Sequence, residues 1–286
     1  MSKAQRVKDQ SARARIAAQQ AEQRRKENRR RILAIGVVAA ALLAVIGIII
    51  GALVGRSTPA QQAASGGPLP AGVQAQLSVP RGTLATVGTG SSTMQAIQPV
   101  TGPALTSGGK PEMLYIGAEW CPYCAAERWA MAVALSRFGS FTPLRGVHSS
   151  ASDVYPNTAT LTFHGATYTS KYLVFTPVEN QDVNRNLLQS PTAAQNALWA
   201  KYDPHRSYPF IDIGNRFVAS TTYSPQVLRG LSWSQIATDL HDPHSPVAQG
   251  AVGSANLLTA AICKVTGNAP ASVCTAAPIP AIQSRL

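Results

Sequence analysis

Two cysteines separated by two residues, Cys121 and Cys124, lie between an apolar segment and a segment of helical character. Residues 113–118 form an apolar run that predicts a buried strand, and residues 125–135 predict a helix. Cys121 is therefore expected at a helix N-terminus, where free backbone N–H groups and the helix dipole favour a thiolate over a thiol. Such a position lowers the pKa of a cysteine from about 8.5 to between roughly 3.5 and 7.5.

This arrangement indicates thiol–disulfide exchange. Cys124 follows Cys121 by one helical turn, close enough to attack a mixed disulfide formed at Cys121. A structural disulfide and half of a zinc site are the alternative interpretations. Zinc needs two more ligands, and the two remaining cysteines do not form a second pair of this kind. Haem attachment needs a histidine directly after Cys124, where the chain has Ala125.

The positive charge of the chain is concentrated at its start. Residues 1–31 hold eleven Lys and Arg residues against three acidic residues, so +8 of the net charge of +12 lies there. This segment has neither interleaved aromatic residues nor a nucleic-acid-binding motif, so no nucleic-acid partner is predicted. Residues 32–55, which begin with Ile32 and end with Gly55, carry no charge and are long enough to cross a membrane as a helix.

The segment 32–55 predicts a single-pass, uncleaved anchor in the cell membrane. Its basic flank is expected to stay cytoplasmic, which places the residues after it outside. Gly47, Gly51 and Gly55 have the spacing that lets two membrane helices approach, so a homodimer through this face is one interpretation; the other is that glycine is common in membrane helices. All four cysteines follow the span, and an even number is typical of an oxidising compartment.

The remainder of the chain predicts a linker and one folded domain. Residues 56–79 are rich in Ala, Gly, Pro, Gln and Ser and predict a flexible linker. Residues 80–286 show the order strand, helix, strands, helix, hairpin, helix, with the hairpin over residues 208–218 and helices over residues 226–240 and 247–265. We expect an α/β domain, a mixed sheet flanked by helices and enlarged by insertions.

Residues 118–124 resemble the active-site segment of the thioredoxin superfamily, and Tyr208 with Pro209 resembles its cis-proline loop. Over most of residues 80–280 the chain is also similar to an uncharacterised family of membrane-anchored, extracytoplasmic, thioredoxin-like proteins with a domain of unknown function. The resemblance implies a thioredoxin-like fold and a reactive cysteine pair, without an established substrate.

The resemblance also implies roles for single residues. Cys121 corresponds to the exposed nucleophile, Cys124 to the resolving cysteine, and Pro209 to the cis-proline that lies against them. The chain departs from thioredoxins in two places. Tyr115 stands where they have a buried Asp, and Ala125 stands where they have a Lys. A dedicated cytosolic-type reductase is therefore disfavoured.

Several neighbours of the cysteine pair are expected to line a substrate groove: Trp120, Pro122, Tyr123, Tyr208 and Pro209. Tyr208 has an equally good alternative, which is packing on the cysteines. Glu119 is a candidate to tune the Cys121 pKa, together with Arg128; the alternative is a solvated pair at the end of the helix.

No catalytic role is predicted for the two other cysteines or for the histidines at positions 241 and 244. Cys263 and Cys274, separated by a turn-rich loop, are predicted to form a structural disulfide, with a relay to the active pair as the alternative. His241 and His244 have a spacing that metal ligands use, but no third ligand is evident in the sequence near them. A solvated loop is favoured there, and neither a metal nor a cofactor is predicted.

The resulting expectation is a membrane-tethered, extracytoplasmic thiol–disulfide oxidoreductase acting on protein thiols or disulfides. An oxidant or isomerase is favoured over a reductase, and an unidentified membrane redox partner is implied. The main alternative is a non-enzymatic thioredoxin-fold binding or scaffold module with structural cysteines. A reductase dedicated to one pathway, such as haem attachment, is a third hypothesis.

Overall fold

The computed structural model of the protein describes residues 66–286. The predicted basic tail, the predicted span of residues 32–55 and its glycines lie outside the described residues. Between residues 66 and 286, no helix combines the length and the apolar character needed to cross a membrane.

The described residues form an α/β fold. The strands are β1 (Gly67–Pro68), β2 (Ile97–Pro99), β3 (Thr106–Ser107), β4 (Lys110–Ala118), β5 (Gly139–Phe141), β6 (Arg145–His148), β7 (Ala159–Thr162), β8 (Tyr168–Ser170), β9 (Val174–Gln181), β10 (Phe210–Ile213) and β11 (Phe217–Ala219). The α-helices are α1 (Arg81–Val87), α2 (Pro122–Ser136), α3 (Ala193–Tyr202), α4 (Trp233–Asp239), α5 (Gly253–Val265), α6 (Ala271–Cys274) and α7 (Ile279–Gln283).

Strand β4 is the centre of a six-stranded mixed sheet. The order is β2–β11–β10–β4–β3, and β9 pairs with β4 as well. Strand β9 runs parallel to β4, whereas β10 is antiparallel to β4 and β11 is antiparallel to β10. The six residues at the C-terminal end of β4 are all buried, as the apolar run predicted. A strand buried on both faces needs cover on both sides of the sheet.

Helices supply this cover. Because side chains alternate along a strand, Met113 and Tyr115 face the core that α2 and α5 complete, while Leu114 and Ile116 face the other side. Trp199 of α3 packs on that second side. The prediction of a mixed sheet flanked by helices is confirmed.

The predicted hairpin of residues 208–218 is confirmed by β10 and β11. The chain turns at Gly214 and Asn215, whose φ angles are +65° and +51°. Both angles lie in the left-handed region, which Gly and Asn adopt more readily than other residues, so the turn follows from these two residue types.

The structure differs from the sequence-based expectation in two segments. Residues 66–79 belong to the predicted flexible linker, yet β1 pairs with β6, and Val73 and Leu77 are buried. Most residues of this segment are small or polar, so the sequence did not indicate that its few apolar side chains would be buried. The continuous helix predicted over residues 226–240 is wrong, because Gly230 interrupts it with a φ of +74°. A 3₁₀ turn precedes that glycine and α4 follows it.

Candidate active site

The cysteine pair lies where β4 ends and α2 begins. Cys121 is the N-cap residue of α2, with extended backbone angles (φ −77°, ψ 120°), and Pro122 occupies the first turn. The Cys121 Sγ accepts a hydrogen bond from the Cys124 backbone N–H at 3.3 Å. The sulfur therefore satisfies one of the free N–H groups of the helix start, a role that side-chain oxygens usually have.

The two sulfurs of the pair are electrostatically unequal. The pKa of Cys121 is lowered, first by the hydrogen bond from the Cys124 side chain and further by backbone N–H groups and the positive charge of Arg128, against the opposing effect of burial. The pKa of Cys124 is raised well above its usual value, first by burial and then by the neighbouring Cys121. Both thiols are free in the structure, and Cys121 is the one that ionises first.

The loop before β10 completes the site from the opposite side. The Tyr208–Pro209 peptide bond is cis, and the Tyr208 carbonyl oxygen lies 3.8 Å from the Cys121 Sγ. Pro209 also lines a cavity of about 450 Å³, whose walls include Phe210 of β10 and Val218 of β11. The structure thus brings together Cys121, Cys124 and the predicted proline loop.

The exposed nucleophile that the resemblance implies is not what the structure has. Cys121 is only 3% exposed, because Trp120 and Tyr208 pack against it. The Tyr208 ring lies 5.3 Å from the Trp199 ring centroid, and its hydroxyl donates to Asn180. The side chain of Tyr208 therefore packs on the cysteines, which was one of the two interpretations of this residue.

Trp120 is held in place by contacts that the sequence did not indicate. Its Nε1 donates to the Gln181 Oε1 at 2.9 Å, and the Arg185 guanidinium lies 3.7 Å from its ring centroid. Arg185 in turn reaches Asp153 on another loop at 3.8 Å. Gln181, Arg185 and Asp153 are distant in sequence from the cysteines and belong to no motif, so only the fold shows that they hold Trp120 in place.

The other predicted groove residues differ in exposure. Pro122 is buried in the first turn of α2 and does not reach the surface. Tyr123 is 38% exposed and packs edge-on against Tyr155. Tyr123 therefore remains available on the surface beside the covered sulfur, whereas Pro122 shapes the turn.

Glu119 and Arg128 do not form the solvated pair that was one alternative. The Glu119 Oε1 accepts from the Thr162 hydroxyl at 2.6 Å, and burial raises the pKa of this carboxyl. Arg128 instead forms a forked ion pair with Glu179, at 2.8 Å and 2.7 Å, and both side chains are wholly buried. The sequence carried no signal for Glu179, since it lies 51 positions away on β9.

The structure contains the predicted disulfide, but only one of the two histidines is exposed to solvent. Cys263 and Cys274 form a disulfide that joins α5 to α6, and both residues are buried. His244 is exposed, whereas the His241 Nε2 lies 2.8 Å from the Gln76 carbonyl oxygen. Within residues 66–286, no group of three His, Cys, Asp or Glu side chains is placed to hold a metal ion.

Fold and site together define an α/β domain whose mixed sheet presents a helix-capping cysteine pair opposite a proline loop. The chain belongs to the family described as Domain of unknown function (DUF929), which matches residues 97–264. This match covers β4, α2, β9 and the hairpin, and therefore the complete site. No curated protein and no solved structure matches the chain significantly.

Proposed function

We propose that this protein is a thioredoxin-like thiol–disulfide oxidoreductase, tethered to the cell membrane by residues 32–55 and acting outside the cytoplasm on protein thiols or disulfides. The observation that carries the proposal is the Cys121 sulfur, which caps α2, has a lowered pKa and faces the Tyr208 carbonyl oxygen. A lowered pKa and a helix N-terminus are the features of a reactive cysteine.

The order of the strands supports the thioredoxin-like assignment. Strand β4 leads through the cysteines into α2, parallel β9 leads into α3, and the antiparallel hairpin of β10 and β11 follows. With β5 to β8 between α2 and β9 and with helices after the hairpin, this agrees with the order strand, helix, strands, helix, hairpin, helix expected of such a domain. The additional small sheets and the C-terminal helices are the enlargement.

The exchange follows from the unequal sulfurs. The Cys121 thiolate attacks one sulfur of a substrate disulfide, a mixed disulfide forms, and the other substrate sulfur departs as a thiolate. Cys124 then loses its proton and attacks the Cys121 sulfur, which forms the Cys121–Cys124 disulfide and releases the second substrate thiolate. Two electrons pass from the pair to the substrate. The reverse sequence oxidises a substrate dithiol, and a membrane redox partner then resets the pair.

An oxidant or isomerase role is favoured over that of a reductase. Stabilisation of one thiolate stabilises the reduced pair, and a pair that is stable when reduced is a better oxidant. The lowered pKa of Cys121 acts in this direction. The predicted position outside the membrane, where disulfides persist, is consistent with the same role.

The test uses the full-length chain in detergent and two cysteine variants. Cys121→Ser should abolish activity in an insulin-reduction or a disulfide-refolding assay. Cys124→Ser should instead accumulate a mixed disulfide with a substrate protein, visible on a non-reducing gel, because the resolving thiol is missing. Unchanged activity of the Cys121→Ser variant would refute the proposal.

One observation favours a second function, that of a binding or scaffold module whose Cys-x-x-Cys pair is not catalytic. Cys121 is almost completely covered, and exchange requires Trp120 or Tyr208 to move aside. Alkylation by iodoacetamide at about pH 6 separates the two functions. A catalytic Cys121 is modified within minutes after gentle reduction, whereas a sealed structural thiol reacts only on unfolding.

A further inference from the structure

Arg128, on the same helix as the cysteine pair, forms a buried ion pair with Glu179 of β9. Both side chains are 0% exposed, and the guanidinium binds the carboxylate through its Nε and Nη2. The Glu179 Oε1 also accepts from the Phe163 backbone N–H at 3.2 Å. The Arg128 Nη1 has no hydrogen-bond partner among the described residues. One donor of the buried guanidinium is therefore left unsatisfied, although the carboxylate binds the other two nitrogens.

Stability alone does not account for this pair. Removing two charges from water costs more than their attraction commonly returns, and well-packed apolar residues of similar volume often serve as well or better. An unpaired buried Nη1 adds to the cost. The position of the pair relative to the sulfurs supplies another reason for its presence.

The helical spacing places the cation on the face of α2 that carries the sulfurs. Cys124 is three residues after Cys121, and Arg128 is four residues after Cys124. Residues three and four apart on a helix are neighbours, with Cβ atoms about 5–6 Å apart. Glu179 approaches from β9, where it pairs with Gly117 of β4. The helix thus holds the cation one turn below Cys124, and the sheet holds the anion.

We propose that the Arg128–Glu179 pair supplies a buried positive charge that favours ionisation of the two sulfurs, with Arg128 as a positioning residue that acts on them through space. Arg128 stabilises the negative charge that Cys121 carries before attack and that Cys124 acquires in the resolving step. Glu179 orients the guanidinium and limits its effect. This assignment deepens the proposed function and rests on it.

The assignment fits the resolving step of the exchange. The Cys124 thiol is buried, and it must lose its proton before its sulfur attacks the Cys121 sulfur. The Cys121–substrate bond then breaks, and the proton lost by Cys124 ends on the departing substrate thiolate. A cation one turn below stabilises the transient charge on Cys124, which burial alone would oppose.

Other ionisable groups surround the sulfurs, and none of them replaces Arg128. Tyr115 on β4 has its pKa raised well above the usual value by burial, so its hydroxyl stays neutral. Burial also raises the pKa of Tyr208 to about 12. Burial likewise raises the pKa of Glu119, and its charge has the wrong sign to stabilise a thiolate. Arg128 is thus the cation through which charge acts on both cysteines.

The experiment measures the pH dependence of Cys121 alkylation by iodoacetamide in the reduced, full-length protein and two charge variants. Arg128→Met should raise the apparent pKa of Cys121 by about one unit, which slows alkylation about tenfold well below that pKa. Glu179→Gln leaves the cation uncompensated and should lower the apparent pKa of Cys121. Opposite shifts are the signature of charge, since simple loss of packing would move both variants alike.

Two controls keep the test decisive. Arg128→Lys retains the charge and should leave the Cys121 pKa near that of the wild type, whereas Tyr115→Phe removes a neutral hydroxyl and should cause no shift. If Arg128→Met does not fold, Glu179→Gln decides alone. An unchanged pKa in Glu179→Gln, or shifts of one sign in both charge variants, would overturn the assignment. A wild-type Cys121 pKa of about 8.5 or above would count against the proposed function instead.

Discussion

Glu127 is a buried carboxyl on α2 whose ionisation should make the stability of the domain depend on pH. Its carboxylate accepts hydrogen bonds from the Thr222 backbone N–H at 3.1 Å, from the Thr222 hydroxyl at 3.1 Å and from the Ser254 hydroxyl at 3.0 Å. These donors are neutral, and the side chain is wholly buried. Burial raises the pKa of Glu127 from 4.5 to about 7, although the three hydrogen bonds act in the opposite direction.

The sign of the effect follows from which state binds more protons. Between pH 4.5 and about 7 the folded protein keeps the Glu127 proton while the unfolded chain has lost it. The free energy of unfolding therefore falls as the pH rises through this window and levels off above it. A shift of about 2.5 units corresponds to about 3 kcal/mol at 1.36 kcal/mol per unit. This is a large fraction of the 5–15 kcal/mol typical of a domain.

The perturbation is Glu127→Gln, which keeps the shape of the side chain and cannot ionise. We expect the free energy of unfolding of the variant, relative to the wild type, to rise by about 3 kcal/mol between pH 4.5 and 8. Urea unfolding followed by tryptophan fluorescence measures this difference, since all four tryptophans lie within the described domain. The contributions of the other titratable groups to the free energy of unfolding are the same in both proteins and cancel in the difference.

A matched variant should move the same quantity in the other direction. Ser254→Ala removes a donor that holds the Glu127 pKa down, so its stability should continue to fall to a higher pH than that of the wild type, with a larger total loss. Parallel pH profiles for Glu127→Gln and the wild type would show that the carboxyl has an ordinary pKa and that the reasoning from burial is wrong.

Two further predictions concern the cover of the site and the disulfide. Arg185→Ala should speed alkylation of Cys121 about two- to fivefold, since a cation–π contact at an exposed site is worth about 0.5–1 kcal/mol; an unchanged rate would show that Arg185 does not hold the cover closed. Replacing Cys263 and Cys274 together by Ala should lower the free energy of unfolding by about 3 kcal/mol, from the loop that they close. The Cys121 alkylation rate should not change, whereas a loss of exchange activity in the folded double variant would favour the relay hypothesis.

Features built from neighbouring residues could be predicted from the sequence. The apolar run that became β4, the cysteines that cap α2 and the Gly214–Asn215 turn each depend on short spacing and on residue type. Such patterns act within one or two turns of the chain, so a sequence displays them directly. The interruption of the predicted helix at Gly230 is an exception to this rule. The sequence shows the glycine, but it does not show that its φ angle is positive.

Contacts between distant residues could not be predicted. The sequence did not identify the partner of Arg128, since a charged residue in a helix usually reaches solvent and Glu179 is one of thirteen acidic residues. The cover over Cys121 depends on Trp120 meeting Arg185 and Tyr208, which lie 65 and 88 positions further along the chain. The resemblance singled out Tyr208, with packing on the cysteines as one interpretation, but nothing in the local sequence distinguishes Arg185.

The position of the cysteine pair at the start of α2 was therefore determined by the sequence itself, because a strand, two spaced thiols and a helix start are contiguous. The solvent exposure of the two sulfurs and the charges around them were decided by the tertiary structure. Packing of three separate segments leaves Cys121 3% exposed and places a buried cation below Cys124. The burial of a sulfur and the charges near it depend on its neighbours in space. Those neighbours are distant in sequence, so the order of residues along the chain does not identify them.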